Sequence, residues 1–150
     1  RYPTLGHQPI AYFSAEFALH QSLPIYAGGL GVLAGDHCKE AGDLGVPLIG
    51  IGFMYPQGYF HQRLSTDGWQ EESYERLTWS DTAIAPALDE EGRPLVTAVP
   101  LGERTVLVAL WRVRLGRVTL YLLDTDLPEN APADRELSAR LYGCLLYTSD

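Results

Sequence analysis

The sequence predicts an α/β fold carrying an antiparallel β meander, and three features point there. "PIAYF" (Pro9 to Phe13) is a short apolar run bounded by turn formers, which reads as a buried strand. From Leu30 to Leu44 apolar residues recur at three and four, the period of one helix face. "VPLIGIGF" (Val46 to Phe53) is a second strand-like run. Strand, helix and strand in that order make a βαβ unit, whose crossover sets the two strands parallel.

Each element has its own justification. A loop rich in Pro, Ser and Gly separates the first strand from the helix, from Ser14 to about Gly29. Leu30, Leu33, Ala34, Cys38, Ala41 and Leu44 are expected to form the buried helix face. Gly45 is placed to stop the helix, because a left-handed residue costs glycine nothing. After Phe53 the chain turns aromatic and polar, with Gly58 and Gly68 as expected turns, and "LDEEGRP" (Leu88 to Pro94) reads as a loop. "PLVTAVP", "RTVLVALWRVRL" and "RVTLYLLDTD" then form the meander, turning at Leu101-Gly102-Glu103 and around Gly116. In its middle strand Leu107, Ala109, Trp111, Val113 and Leu115 should alternate with outward Val108, Leu110, Arg112 and Arg114. "PADRELSARLYG" (Pro132 to Gly143) reads as a helix with Pro in its first turn and Gly at its end. There is no internal repeat and no low-complexity linker.

Composition narrows the function classes. The 150 residues are enough for one domain burying about 70% of its unfolded surface, and 46% are hydrophobic, so a core is within reach. No apolar run approaches the ~18 to 20 residues of a membrane span. The net charge of −8, with scattered Lys and Arg, argues against nucleic acid or an acidic membrane as partner. Two cysteines, Cys38 and Cys144, make neither a disulfide framework nor a metal site, so a reducing, cytoplasmic setting is expected. The chain begins at Arg1 without a signal-peptide pattern and is expected to be a piece of something longer.

The chemistry concentrates in "AGGLG" (Ala27 to Gly31), directly ahead of the helix. A helix N-terminus leaves backbone N–H groups unpaired and carries about half a positive charge. Glycines there let an anion approach closely, and phosphate is the usual guest. The amides near Gly28, Gly29, Leu30 and Gly31 therefore read as a phosphate cradle; a tight turn with close helix packing is the alternative. A dinucleotide fingerprint would want G-x-G-x-x-G and an acid at the end of the second strand, and a P-loop would want G-K-[ST]. The loop has neither.

Longer blocks carry a resemblance. "IAYFSAEFALHQSLPIYAGGLGVLAGDHCKEAGDLGVPLIGIGFMYPQGYFHQ", "DGWQEESYE", "WRVRLGRVTLYLLDTDLPEN" and "DRELSARLYG" resemble, in order, the N-terminal region of bacterial α-glucan (glycogen, starch, maltodextrin) phosphorylases. The match runs from about Pro9 to Gly143. Ala18 stands where that family is expected to have Gly, and Cys38 and Gly42 where Leu and Ser are expected. The resemblance implies part of the N-terminal, Rossmann-like lobe of a two-lobed GT-B type glycosyltransferase, with the active site in the cleft between lobes. It implies phosphorolysis, in which inorganic phosphate attacks the terminal α-1,4-linked glucose of a glucan and glucose 1-phosphate leaves. It also implies pyridoxal phosphate, bound through a lysine far along the second lobe and outside this chain. The substrate-facing role falls on Gly28, Gly29, Leu30 and Gly31, and no catalytic residue is expected within the fragment. Fixed amide dipoles suit this reaction, since they hold an anion beside a carbon that becomes cationic without reorganising.

Several expectations surround that core. Glu16 follows the first strand, where a side chain can support the cleft; bracing of the loop by accepting backbone N–H bonds is the preferred reading. Asp36 and His37 read as surface or packing residues. His7, His20, His37 and His61 show no metal spacing, and no metal is expected. Tyr26, Tyr55, Tyr59 and Trp69 could stack on sugar, though core roles are commoner. The acids of "DEEG" and "QEES" read as solvated charge, not as a glycosidase pair. Residues 1–143 are expected to be a partial lobe and 144–150, "CLLYTSD", a non-native tail. The oligomeric state of the parent is left open, a homo-oligomer included. The rival readings are a nucleotide-sugar glucan synthase lobe, which would place lysine at Tyr26, and a non-catalytic phosphate- or glucan-binding module.

Overall fold

The computed structural model describes residues 8–56, 61–73 and 83–141. Its main element is a mixed six-stranded sheet. Strand β1 (Ile10–Phe13) pairs in parallel with β2 (Leu48–Phe53), and the crossover between them is helix α1 (Gly29–Leu44), the expected βαβ unit. A two-stranded hairpin, β3 (His61–Leu64) and β4 (Gln70–Ser73), forms a separate small sheet with Gly68 left-handed in its turn (φ 83°). Next come β5 (Ile84–Pro86), β6 (Val96–Leu101), β7 (Arg104–Leu115) and β8 (Val118–Asp124). The last three are the expected meander, with Gly102 and Gly116 left-handed at its turns.

Meander and βαβ unit are one sheet. Strand β8 lies parallel to β2, Ile49 opposite Thr119 through Phe53 opposite Leu123, so the order is β1-β2-β8-β7-β5 with β6 also on β7. This order corrects the reading of β1, which is an edge strand; Phe13 is 71% exposed.

Helix α1 buries Ala34, Cys38 and Ala41 as expected but departs from its expected face at the leucines. Leu30, Leu33 and Leu44 are 48%, 65% and 50% exposed, and the buried residues are Gly31, Ala34, Gly35, Cys38, Ala41 and Gly42. The reason is close approach. The segment after β1 passes between the helix and the sheet, and the Ala18 N–H donates to the Gly31 carbonyl at 2.8 Å. A Cβ at Gly35 would run into the Ala18 carbonyl. A stripe of small residues fits under that strap where leucines would not, although each interior glycine costs a helix roughly 0.5–1 kcal/mol relative to alanine. The helix ends as expected: Gly45 is left-handed (φ 70°), and the Val46 N–H reaches back to the Ala41 carbonyl at 2.9 Å.

The sheet matches the strap. Phe17, fully buried, lies over Gly50 and Gly52; a Cβ at Gly52 would stand 2.9 Å from its ring, and one at Gly50 would stand 2.6 Å from Leu120 Cδ1. Glycines in β2 thus make room for an aromatic ring. Around it Leu23, Ile25, Ala34, Cys38, Met54, Val113, Val118, Leu120 and Leu122 complete the core.

The C-terminal segment adds two corrections. Arg112 and Arg114 face outward as expected, but Val106 and Val108, on the same side of β7, are buried. Residues after β8 fold back there. Asn130 accepts the Leu107 N–H at 2.9 Å and donates to the Leu107 carbonyl at 2.7 Å, continuing the ladder past the end of β8. The expected long helix is one turn, α2 (Pro132–Arg135), with Pro at its start, followed by a 3₁₀ turn (Glu136–Ser138). Thr125 and Ser138 hold each other, Thr125 N–H to Ser138 Oγ at 2.9 Å and Ser138 N–H to Thr125 Oγ1 at 3.2 Å, so the chain bends to meet β8. Gly58, Gly143 and residues 144–150 lie outside the described residues.

Candidate functional site

The site is built where β1 hands over to α1. Ser14 opens the strap with a local turn, its Oγ donating to the Glu16 carbonyl at 2.8 Å. Tyr55, just past β2, donates its hydroxyl to the Ala15 carbonyl at 3.1 Å, and the Phe17 N–H donates to the Ile25 carbonyl. These bonds fold 14–28 into a compact loop and push Glu16 beneath it, where it is 3% exposed. There the carboxylate Oε2 accepts two amides, Ala27 N–H at 2.9 Å and Gly28 N–H at 3.1 Å.

The glycines divide by function. A Cβ at Gly31 would sit 2.6 Å from Tyr26 Cβ and 3.0 Å from Glu16 Oε2, so this glycine lets helix and carboxylate meet. Among the described residues nothing lies within 4 Å of a Cβ at Gly28 or Gly29. Those two leave open space on the outer side of the helix start. Gly28 caps α1 through its carbonyl, which accepts the Val32 N–H at 3.3 Å, and no side chain caps the helix. Among the described residues the amides of Gly29, Leu30 and Gly31 donate to nothing. The first turn carries no acidic residue. An anion placed there would meet the exposed Gly29 and Leu30 at the helix start, with the buried Gly31 amide just behind them, and the positive end of a four-turn dipole.

Other sequence candidates fall elsewhere. Asp36 and His37 are exposed on α1, and the His37 ring rests on Tyr12 with centroids 4.8 Å apart. His20 is tied within its loop to Ser22. Trp69 is exposed on the β3–β4 turn, and Tyr26 is half-buried beside Gly31. His7 and Tyr59, and the side chain of His61, lie outside the described residues. No group of metal-ligating side chains occurs among the described residues. The acids of "DEEG" are not all simple solvated charge: Asp89 accepts the Arg93 and Glu91 N–H groups and the Arg93 guanidinium. Those bonds, the Arg93 N–H first, hold its carboxyl below the usual range. Burial pushes the Cys38 thiol up, as befits a core residue.

A pyridoxal anchor does not fit this chain. Lys39 is its sole lysine, and it is exposed on α1 in a surface cleft with Asp43 and Arg117, away from the glycine loop. The sequence reading of Glu16 as a brace that accepts backbone N–H bonds of the loop agrees with the structure, but nothing in "AEF" and "YAGG" signals which N–H a carboxylate eleven residues away will take.

No protein-family model matches the chain. It is 48% identical over 142 residues to a glycogen phosphorylase of Aquifex aeolicus, covering 95% of this chain and 20% of that protein. It is 47% identical over 135 residues to a maltodextrin phosphorylase of Thermococcus litoralis, covering 90% of this chain and 16% of that protein. A glycogen phosphorylase of Mycobacterium tuberculosis is 50% identical over 135 residues, with 89% of this chain and 16% of that protein covered. The chain therefore matches an N-terminal piece of glycogen and maltodextrin phosphorylases, and spans a fifth or less of their length.

Proposed function

We propose that this chain is part of the N-terminal lobe of an α-glucan phosphorylase of the two-lobed GT-B type, and that its glycine loop faces the reacting phosphate and terminal glucose. The observation that carries this reading is the start of α1, where among the described residues three amides have no partner and space is open at Gly28 and Gly29. The similarity to phosphorylases over nine-tenths of the chain supports it. In the reaction a phosphate oxygen attacks the anomeric carbon, the glycosidic bond breaks with its oxygen taking the proton of the hydrogen phosphate, and glucose 1-phosphate leaves the shortened glucan. The part this chain plays is binding and orientation. The amides of Gly29, Leu30 and Gly31 hold negative charge without reorganising, and the helix dipole adds to their field. Gly28 lends space more than a donor.

Pyridoxal phosphate, the non-reducing-end glucose subsite and the second lobe belong to the rest of the parent protein. The chain by itself is inactive on this account, and the parent acts in the cytoplasm. Tyr26 in place of lysine ahead of the loop favours a phosphorylase over a nucleotide-sugar synthase. The test is an assay of the full-length parent with maltooligosaccharide. Phosphate-dependent release of glucose 1-phosphate is expected, and none from the 150 residues alone. Glucan extension from a nucleotide sugar, with no phosphorolysis, would replace this reading by the synthase.

A further inference from the structure

We propose that Glu16 is a positioning residue that decides which amides of the glycine loop can reach a ligand. The inference rests on the phosphate reading above. A loop of this sequence offers five consecutive N–H groups, Ala27 to Gly31, and a flexible glycine loop has no inherent reason to present any particular subset. The geometry supplies the reason. One oxygen of the buried Glu16 carboxylate takes Ala27 N–H at 2.9 Å and Gly28 N–H at 3.1 Å, turning both inward. Gly29, Leu30 and Gly31 are left for the ligand.

Three features make the arrangement a device and not one turn among many. Charge-assisted bonds to a carboxylate are roughly twice as strong as neutral ones, so the two amides stay committed. The strap holding Glu16 is fixed from both sides, by Tyr55 on Ala15 and by the Ala18 N–H on the Gly31 carbonyl. A Cβ at Gly31 would stand 2.6 Å from Tyr26 Cβ and 3.0 Å from Glu16 Oε2, so the absence of a side chain there lets the carboxylate lie close to the helix. The carboxylate is therefore seated against the first turn of α1, and it carries the loop with it. Glu16 touches no reacting atom on this account. It confines the anion cradle to one turn of helix and keeps its own negative charge on the inner side.

Two measurements separate this inference from the reading beneath it. Amide hydrogen exchange of Ala27 and Gly28 is followed by NMR in the 150-residue chain, without added anion, for the wild type, Glu16→Gln and Glu16→Ala. Exchange at both amides should accelerate at least about tenfold in Glu16→Ala and much less in Glu16→Gln, whose amide oxygen can still accept. In the full-length parent, Glu16→Ala should lower kcat on the order of a hundredfold, as misplacing a binding loop by an ångström can do. The KM for phosphate should change and the KM for glucan should stay, with Glu16→Gln recovering most of kcat. A merely structural role would reduce the amount of active enzyme and leave both KM values unmoved. Unchanged exchange in Glu16→Ala, or a Gln variant as impaired as Ala, would overturn the proposal. A parent that releases no glucose 1-phosphate, with the exchange pattern as expected, would instead overturn the phosphorylase reading and leave Glu16 as the loop's brace.

Discussion

Replacing Gly29 and Gly31 by alanine, one at a time, should move stability in opposite senses, and at Gly29 function should move against stability. At Gly29 an added methyl meets nothing within 4 Å among the described residues, so the folded chain loses nothing and the unfolded chain loses freedom. Gly29→Ala should stabilise the chain by about 0.5–1 kcal/mol, the usual preference of a helix for alanine. At Gly31 the same methyl would stand 2.6 Å from Tyr26 Cβ and 3.0 Å from Glu16 Oε2. Neither can yield freely, because Tyr26 precedes the pinned amides and Glu16 holds them. Overpacking of this kind costs about 1–3 kcal/mol, which outweighs the gain in helix preference. Urea denaturation of the two variants would read both signs. If the loop binds phosphate as proposed, the order reverses for Gly29 in the full-length parent, because its methyl would fill the ligand's space and displace an anion from its amide. Losing one hydrogen bond to a charged group costs about 1.5–3 kcal/mol, or roughly ten- to a hundredfold in phosphate affinity. A Gly29→Ala parent with an unchanged KM for phosphate would refute the reasoning, since the open space would then serve no ligand.

Other expectations follow from the packing and the shifted groups. Phe17→Ala should cost about 3–5 kcal/mol, because the ring fills the hollow left by Gly50 and Gly52, and a loss under 1 kcal/mol in a denaturation experiment would contradict that packing. Asp89 has its carboxyl pKa held down, so its contribution is present above the unfolded value near pH 4 and lost as pH falls through the folded value. Asp89→Asn should therefore flatten the fall in stability between about pH 5 and 3; an unchanged acid profile would tell against it. Cys38 is fully buried with its thiol raised, so thiolate is scarce. In a Cys144→Ser variant, modification by a thiol reagent should proceed only as fast as unfolding, and rapid labelling of the folded chain would contradict the core assignment.

What the sequence revealed, and what it hid, has a physical pattern. Gly45, Gly102 and Gly116 were legible because a left-handed residue is a local requirement that one letter can meet. The α/β class was legible for a similar reason, from strand and helix periods within short windows. The face of α1 was legible only in part, at Ala34, Cys38 and Ala41. Periodicity offered leucines, but contact was decided by the strap carrying Phe17 and Ala18, which only small residues can approach. The parallel seam between β2 and β8 joins residues about seventy apart and leaves no local mark. The C-terminal helix was cut short by a Thr125–Ser138 pair that no helical pattern announces. At the candidate site the loop ahead of α1 and its brace by Glu16 were readable from "AGGLG" and "SAEF", whereas the choice of the Ala27 and Gly28 amides is set by the path of the strap and leaves no local mark.

The central claim is that the start of α1 holds phosphate in the parent enzyme. A crystal structure of the full-length protein with phosphate and a maltooligosaccharide bound tests it most directly. The account predicts phosphate oxygens at hydrogen-bonding distance from amide nitrogens of the Gly29–Gly31 turn, with Ala27 and Gly28 still turned to Glu16. Phosphate bound elsewhere, with the three amides facing only solvent or protein, would contradict it.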